Sequence, residues 1–310
     1  QELKLAKFGQ VNVSIDGTKI AANASKHAAV SYARAGEQIA QLELEVEQLL
    51  AKAEQADATP LQDGLTIPEE IARRQERKAA IAKARAEIEA RAHARYAVEL
   101  GEHEKKLAAR RAQEAEGQKP RGRAPVAPTP EPKAKDQYNF TDPESRIMKD
   151  GTGFAQSYNA QAAVEVESRL IVGERVSQAP NDKQELGPTL DAIPAVVGPV
   201  STVLSDNGFY SEAAVQKIEQ TADGVATGTT VYAALDKTSH HRSVADLEKK
   251  PEPSAPAAGA NVSEVMRHRL QSSAGKQLYK LRQQTVEPVF GIIKSALGFR
   301  QFLLRDTDKL

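Results

Sequence analysis

The 310-residue sequence contains no cysteine. Disulfides, thiolate metal sites and cysteine nucleophiles are therefore excluded, and a reducing compartment is compatible with the chain. Net charge is absent as well. The 42 Lys and Arg residues balance 42 Asp and Glu, which is unusual for a protein that binds DNA along its whole length. No apolar run approaches the length of a membrane span, so no membrane association is expected. No signal peptide is visible. The chain opens on Gln1 rather than Met, and Leu310 follows closely on an apolar stretch. It reads as an internal fragment.

What is present is unevenly distributed. Residues 261–310 carry nine Lys/Arg against four Asp/Glu, a local excess of five positive charges. Phosphate affinity follows such local clusters more than the total.

Near the start, Val11, Val13 and Ile15 alternate with Asn12, Ser14 and Asp16, the period of a strand. Asp16-Gly17 fits either a hairpin turn or a carboxylate held at the exit of a central strand. Residues 30–117 form a long helical block. Ile39, Leu42, Val46 and Leu49 make a coiled-coil seam, and Pro60, Asp63 and Gly64 break it. A second helix starts with Thr66 and Glu69 as a capping box and Pro68 in the first turn. Ile71, Ile81, Ala84 and Ile88 supply its apolar stripe. Its many arginines and lysines, Arg73, Arg74, Arg77 and Lys78 among them, could touch DNA, but the interspersed acids favour a solvated coiled-coil face, and His93 and His103 read as surface residues. Residues 118–137, with five prolines between Pro120 and Pro132, cannot pack a core and should be an extended or disordered linker.

Regular structure resumes at Tyr138. A polar turn over 139–146 precedes two strands, 158–166 and 169–176, joined by Glu167-Ser168. Asn181-Asp182 is placed to cap a helix over 183–193; Pro188 either falls inside that span or instead marks the helix's first turn. Val200–Leu204 is an apolar run of buried-strand type. It ends in Ser205-Asp206-Asn207-Gly208-Phe209-Tyr210, and Ser211 then caps a helix. Asp206 thus stands beyond the carboxyl end of a strand, where open α/β sheets collect ligands. A plain polar turn is the competing reading. Thr230–Ala234 is a further strand. His240-His241 beyond it point to opposite faces if extended, which makes a poor metal pair.

The stretch Tyr279–Lys294 is amphipathic at helical spacing, with Leu281, Val286, Val289, Phe290 and Ile293 on one stripe. Pro288 implies a kink or a helix start nearby. Lys294 lies two turns beyond Glu287, on nearly the same face if the helix is regular.

Tyr279, Arg282, Glu287 and Lys294 match the letters of the tyrosine-arginine-glutamate-lysine signature, and the segment resembles bacterial insertion-sequence transposases of the DDE class. Four residues separate Arg282 from Glu287 where the common signature has three. The strings around Asp16 and Leu204–Ser211 resemble the family's first- and second-aspartate segments. The resemblance implies an α/β fold: an RNase H-like mixed sheet with flanking helices, plus an antiparallel helical hairpin (coiled coil) inserted between the first and second strands. Its parts would be the first strand segment (1–29), the hairpin (30–117), the Pro-rich linker (118–137) and the rest of the core (138–310). Asp16, Asp206 and Glu287 would then be the catalytic, metal-binding acids for Mg2+, with Mn2+ as a substitute. Lys294, Arg282, Tyr279 and Lys19 would face DNA. The implied partners are insertion-sequence ends and target DNA, with a homodimer on the DNA, in bacterial cytoplasm. The alternative is an inactive remnant that only binds DNA or a partner through its coiled coil.

Overall fold

The structure, a computed structural model, describes residues 9–56, 67–117, 119–120, 122–151, 153–236, 251–257 and 259–310. Two compact units divide the chain: one formed by residues 1–23 and 144–310, the other by residues 24–143.

The first unit is a mixed α/β structure around a six-stranded sheet. Its strands are β1 (Val11–Ala21), β4 (Arg146–Asp150), β5 (Gly153–Glu165), β6 (Ile171–Ser177), β7 (Val200–Ser205) and β8 (Thr230–Ala233). The order is β4-β5-β1-β7-β8, and β6 also pairs with β5. β1 runs antiparallel to β5 and parallel to β7, and β8 continues the parallel side. β4 with its hairpin to β5 was not expected from sequence, where a polar turn was read over 139–146 and no element between it and the strand at 158. The signal was present in Asp150-Gly151, and Asp150 Oδ1 accepts from Gly153 N at 2.9 Å.

Asp16-Gly17 is not a turn. β1 runs straight through it, with Asp16 opposite Ala162 and Gly17 opposite Gln161. The strand is central and is clad on both faces. Its odd residues Val11, Val13 and Ile15 join a core with Val203, Val231 and three helices: Leu186 of α3 (Leu186–Asp191), Val215 of α4 (Glu212–Glu219) and Met266 of α5 (Val262–Gln271). On the opposite face, Ala162 and Val164 pack against Val286, Val289 and Phe290 of α6 (Ser273–Gly291). Full burial of side chains such as Val13 and Ile15 contributes roughly 1.5–3 kcal/mol each. The alternation at period two decides which side chain meets which helix.

Local signals set the helix ends. Ser211 Oγ accepts from Ala214 N at 3.3 Å and caps α4. Asn261 and Glu264 form a full capping box at α5. Pro188 does fall in the first turn of α3. Pro288 lies inside α6 without ending it, but the regular helix stops at Gly291 and relaxes into a π turn over Ile292–Ala296.

In the second unit, α1 (Tyr32–Ala56) and α2 (Ile67–Ala115) run in opposite senses, as their contacts require. Tyr32 Oη donates to Glu89 at 2.8 Å, Lys78 pairs with Glu43 at 2.8 Å, and Arg74 pairs with Glu45 at 2.8 Å. Leu42, Ile81, Ala84 and Ile88 fill the seam. Thr66 and the 57–66 connection lie outside the described residues. At 49 residues, α2 is ~73 Å long, about twice the length of α1. Part of the excess is covered by the proline-rich segment, which runs back along it. Arg110 donates to the carbonyls of Gly122 and Arg123, and Asp136 pairs with Arg95 at 3.0 Å. His103, expected on the surface, is half-buried beside that segment. A short pair, β2 (Ala29–Ser31) with β3 (Gln137–Asn139), closes the unit.

Candidate active site

The register of the sheet brings the two aspartates together. Ser14 pairs with Leu204 across the parallel β1–β7 ladder. Two residues further along both strands stand Asp16 and Asp206, just where β7 ends. Asp206 caps a short 3-10 turn, its Oδ1 accepting from Gly208 N at 2.8 Å. Asp16 Oδ1 accepts from its neighbour Gly17 N at 2.8 Å.

Burial pushes the Asp16 carboxyl up to about 6. The Gly17 N–H pulls the other way, the Asp206 charge adds to the rise, and Arg282 partly offsets it. Two neighbouring carboxylates, one of them largely desolvated, carry more negative charge than Arg282 alone offsets. Hard divalent cations with oxygen ligands answer that need, so the donors fit the kind of ion a two-carboxylate site takes.

Helix α6 lies over these acids and contributes Tyr279, Arg282 and Glu287. Tyr279 Oη donates to the Ser205 carbonyl at 3.0 Å, and burial raises its pKa. This bond ties the helix to the end of β7, one residue before Asp206. The Arg282 guanidinium lies over the Tyr279 ring, 5.9 Å from its centroid, and donates to Glu287 Oε1 at 3.1 Å. Five residues apart, the two side chains leave the helix roughly 140° from each other, so the guanidinium wraps around the axis to reach. Its Nε is buried without a hydrogen-bond partner. Among the described residues, no three Asp, Glu or His side chains are gathered closely enough to hold a metal ion. Glu287 is half-exposed and engaged with Arg282.

The regular helix that carries Glu287 ends at Gly291, and Lys294 lies in the π turn beyond it. Its Nζ donates to the Lys19 carbonyl at 2.9 Å, and burial lowers its pKa. Lys19 projects from the opposite face of β1 to Asp16 and pairs with Asp182 at 3.7 Å. His240-His241 lie outside the described residues.

Asp182 is the residue that sequence reasoning misplaced. It does not cap α3, whose N-cap is Glu185. Instead its Oδ1 accepts from Asn159 Nδ2 at 2.6 Å and from Gln161 Nε2 at 2.7 Å. Asn159 and Gln161 are both buried, on the face of β5 that Gly17 shares. The signal was two amides at alternate positions within the apolar stretch 158–164, a pattern that calls for a buried polar partner.

The transposase DDE domain family matches residues 124–310, more than half of the chain. The chain belongs to this family. The matched span includes Asp206 and Glu287 and begins after Asp16, whose link to the site rests on the β1–β7 register and on its electrostatic coupling to Asp206. No curated protein and no solved structure matches the chain. DNA is the substrate that membership of a transposase family implies, and divalent metal ions are in general use among DDE domains. Among the described residues, no helix is long and apolar enough to cross a membrane.

Proposed function

We propose that the protein cleaves DNA strands at the ends of an insertion sequence and joins the freed 3′ ends to target DNA. The observation that carries this reading is the juxtaposition of Asp16 and Asp206 on adjacent parallel strands, beneath the helix that bears Arg282 and Glu287. The sheet, with β4, β5, β6 and β1 paired antiparallel and β7 and β8 continuing parallel to β1, supports an RNase H-like core. The helical unit is then an antiparallel hairpin inserted between its first and second strands.

Asp16 and Asp206 would hold a divalent cation, Mg2+ with Mn2+ as a substitute, and Glu287 would join them as the third carboxylate only on leaving its ion pair with Arg282. When bound, such ions supply activation of an oxygen nucleophile and charge neutralisation at the leaving oxygen of an in-line phosphoryl transfer. The protein's own groups orient and screen. Tyr279 fixes α6 against the end of β7. Arg282 supplies a fixed positive charge next to the acids, suited to a scissile phosphate. Lys294 donates to the carbonyl of Lys19 on β1, three residues beyond Asp16. Water attack at the element end would leave a 3′-hydroxyl and a 5′-phosphate. That hydroxyl would then displace a 3′ oxygen in the target strand, exchanging one phosphodiester for another. Neither step needs a protein nucleophile, which agrees with the absence of cysteine.

The test uses the full-length protein and DNA carrying its element ends. Asp206→Asn and Glu287→Gln should abolish Mg2+-dependent cleavage and leave end binding intact. Undiminished cleavage in either variant would overturn the assignment. End binding without cleavage in the unsubstituted protein would instead identify a remnant that only binds.

A further inference from the structure

The helical unit contains a cleft of about 380 Å3 between α1, α2 and the turn at 26–28. His27, Arg34, Gln38 and Arg77 line it, Ile81 is among its apolar walls, and Phe140 stands beside them. Among the described residues, no carboxylate lines it. The other cations on this stretch of α2 are largely committed elsewhere. Arg74 is held by Glu45 and Glu70, Lys78 by Glu43, Arg85 by Glu89 and Arg95 by Asp136. Arg91 donates to the carbonyls of Gln137 and Pro143. Arg34 and Arg77 have no ion-pair partner among the described residues. Glu45 lies within electrostatic reach of Arg77, but its carboxylate already accepts from Arg74 and from Gln41.

Two arginines on one concave surface, with no carboxylate lining it among the described residues, favour an anion there. Arginine forks match phosphate oxygens in geometry and charge. Phe140 is 41% exposed. Its ring rests edge-on against Tyr138, 5.4 Å between centroids, and its backbone N–H donates to the Ala28 carbonyl at 2.8 Å. A fixed, exposed aromatic next to paired cations offers a surface for a sugar or base beside its phosphate.

We infer that this cleft binds the sugar-phosphate backbone of DNA, through Arg34 and Arg77 with His27 at its edge, and that it is a DNA contact separate from the acid site. The inference rests on the reading of the chain as a DNA-processing enzyme, so its test separates the two. Binding of a short duplex is followed by fluorescence anisotropy in EDTA over a salt series, using the full chain with Asp206→Asn. Arg34→Ala and Arg77→Ala should each make the slope of log K against log salt shallower by about one, and the double variant by about two. Arg77→Lys should keep the parent slope, as should Lys83→Ala, a control on the exposed surface of α2. A double variant with the parent slope would overturn the proposal. So would a cleft that takes inorganic phosphate, seen by chemical shifts of Phe140, while DNA binding stays indifferent to both arginines. Cleavage is measured separately with Asp206 restored. A changed slope without any cleavage would sink the acid-site reading and spare the cleft, and an unchanged slope with normal cleavage would do the reverse.

Discussion

Gly17 and Asp182 leave no room between them for a side chain. A methyl group on Gly17 would lie 2.6 Å from Asp182 Oδ1 and 2.4 Å from Gln161 Nε2. The glycine after Asp16 is thus required by a buried polar network on the far face of β1. That network fixes the backbone N–H that Asp16 itself accepts from.

Replacing Gly17 with alanine must push the Asp182–Gln161 pair apart or bend β1. Overpacking of this kind costs about 1–3 kcal/mol. Gly17→Ala should lose that much stability in urea denaturation and also lower cleavage, because the hydrogen bond orienting Asp16 shifts with the backbone. Asp182→Asn should keep the packing but remove the charge facing Lys19. Full activity and parental stability in Gly17→Ala would show that the strand has slack which these distances do not suggest.

Much of this arrangement was legible, and the limits of what was legible have physical causes. Val200–Leu204 announced a buried strand and placed Asp206 at its end. Val11, Val13 and Ile15 announced β1, but Asp16-Gly17 supported a turn equally well until the pairing with β5 was known. The parity of Asn159 and Gln161 has meaning only once Asp182, more than twenty residues away, is brought across the sheet. The expected relation of Lys294 to Glu287 assumes a regular helix, whereas Lys294 lies in a π turn after Gly291, and no periodic pattern in the sequence marks a π turn. The two-residue parity of a strand was readable; the long-range contacts that give it meaning were not.

Arg282 serves as a counter-charge to the acids, offsetting the rise at Asp16 and holding Glu287. Arg282→Gln keeps a polar side chain but removes the charge. The Asp16 carboxyl should then titrate above about 6, and the acid limb of a pH–cleavage profile should move to higher pH. Arg282→Lys should move it back. A limb that stays in place in Arg282→Gln would mean that Arg282 exerts no electrostatic control over Asp16.

The capping box at the start of α5 predicts a purely structural effect. Asn261 Oδ1 accepts from Glu264 N at 2.8 Å, and Glu264 Oε2 accepts from Asn261 N at 3.0 Å. Asn261→Ala should cost about 1 kcal/mol, read as a shift in the denaturation midpoint. Metal-dependent cleavage at saturating DNA should stay unchanged, since Met266 on this helix packs on the face of the sheet away from α6.

Asp16 itself should make the metal-free protein less stable. Its pKa stands at about 6 in the folded state against an ordinary 3.8, so the folded chain binds that proton more tightly than the unfolded one. Stability therefore falls as pH rises from about 4 to about 6 and stays low above, by roughly 3 kcal/mol at most at 1.36 kcal/mol per pH unit. Asp16→Asn removes the titration. In EDTA, the variant should be more stable than the parent at neutral pH and should lose the slope between pH 4 and 6, while the two converge at lower pH. Divalent cations should raise the stability of the parent at neutral pH and leave the variant nearly unaffected, because only the parent holds the buried charge that the cation would neutralise. Urea titrations across the pH series, with and without Mg2+, read all of these together. Parallel curves for parent and variant would show that burial of Asp16 carries no penalty, and would remove the electrostatic reason for placing a cation beside it.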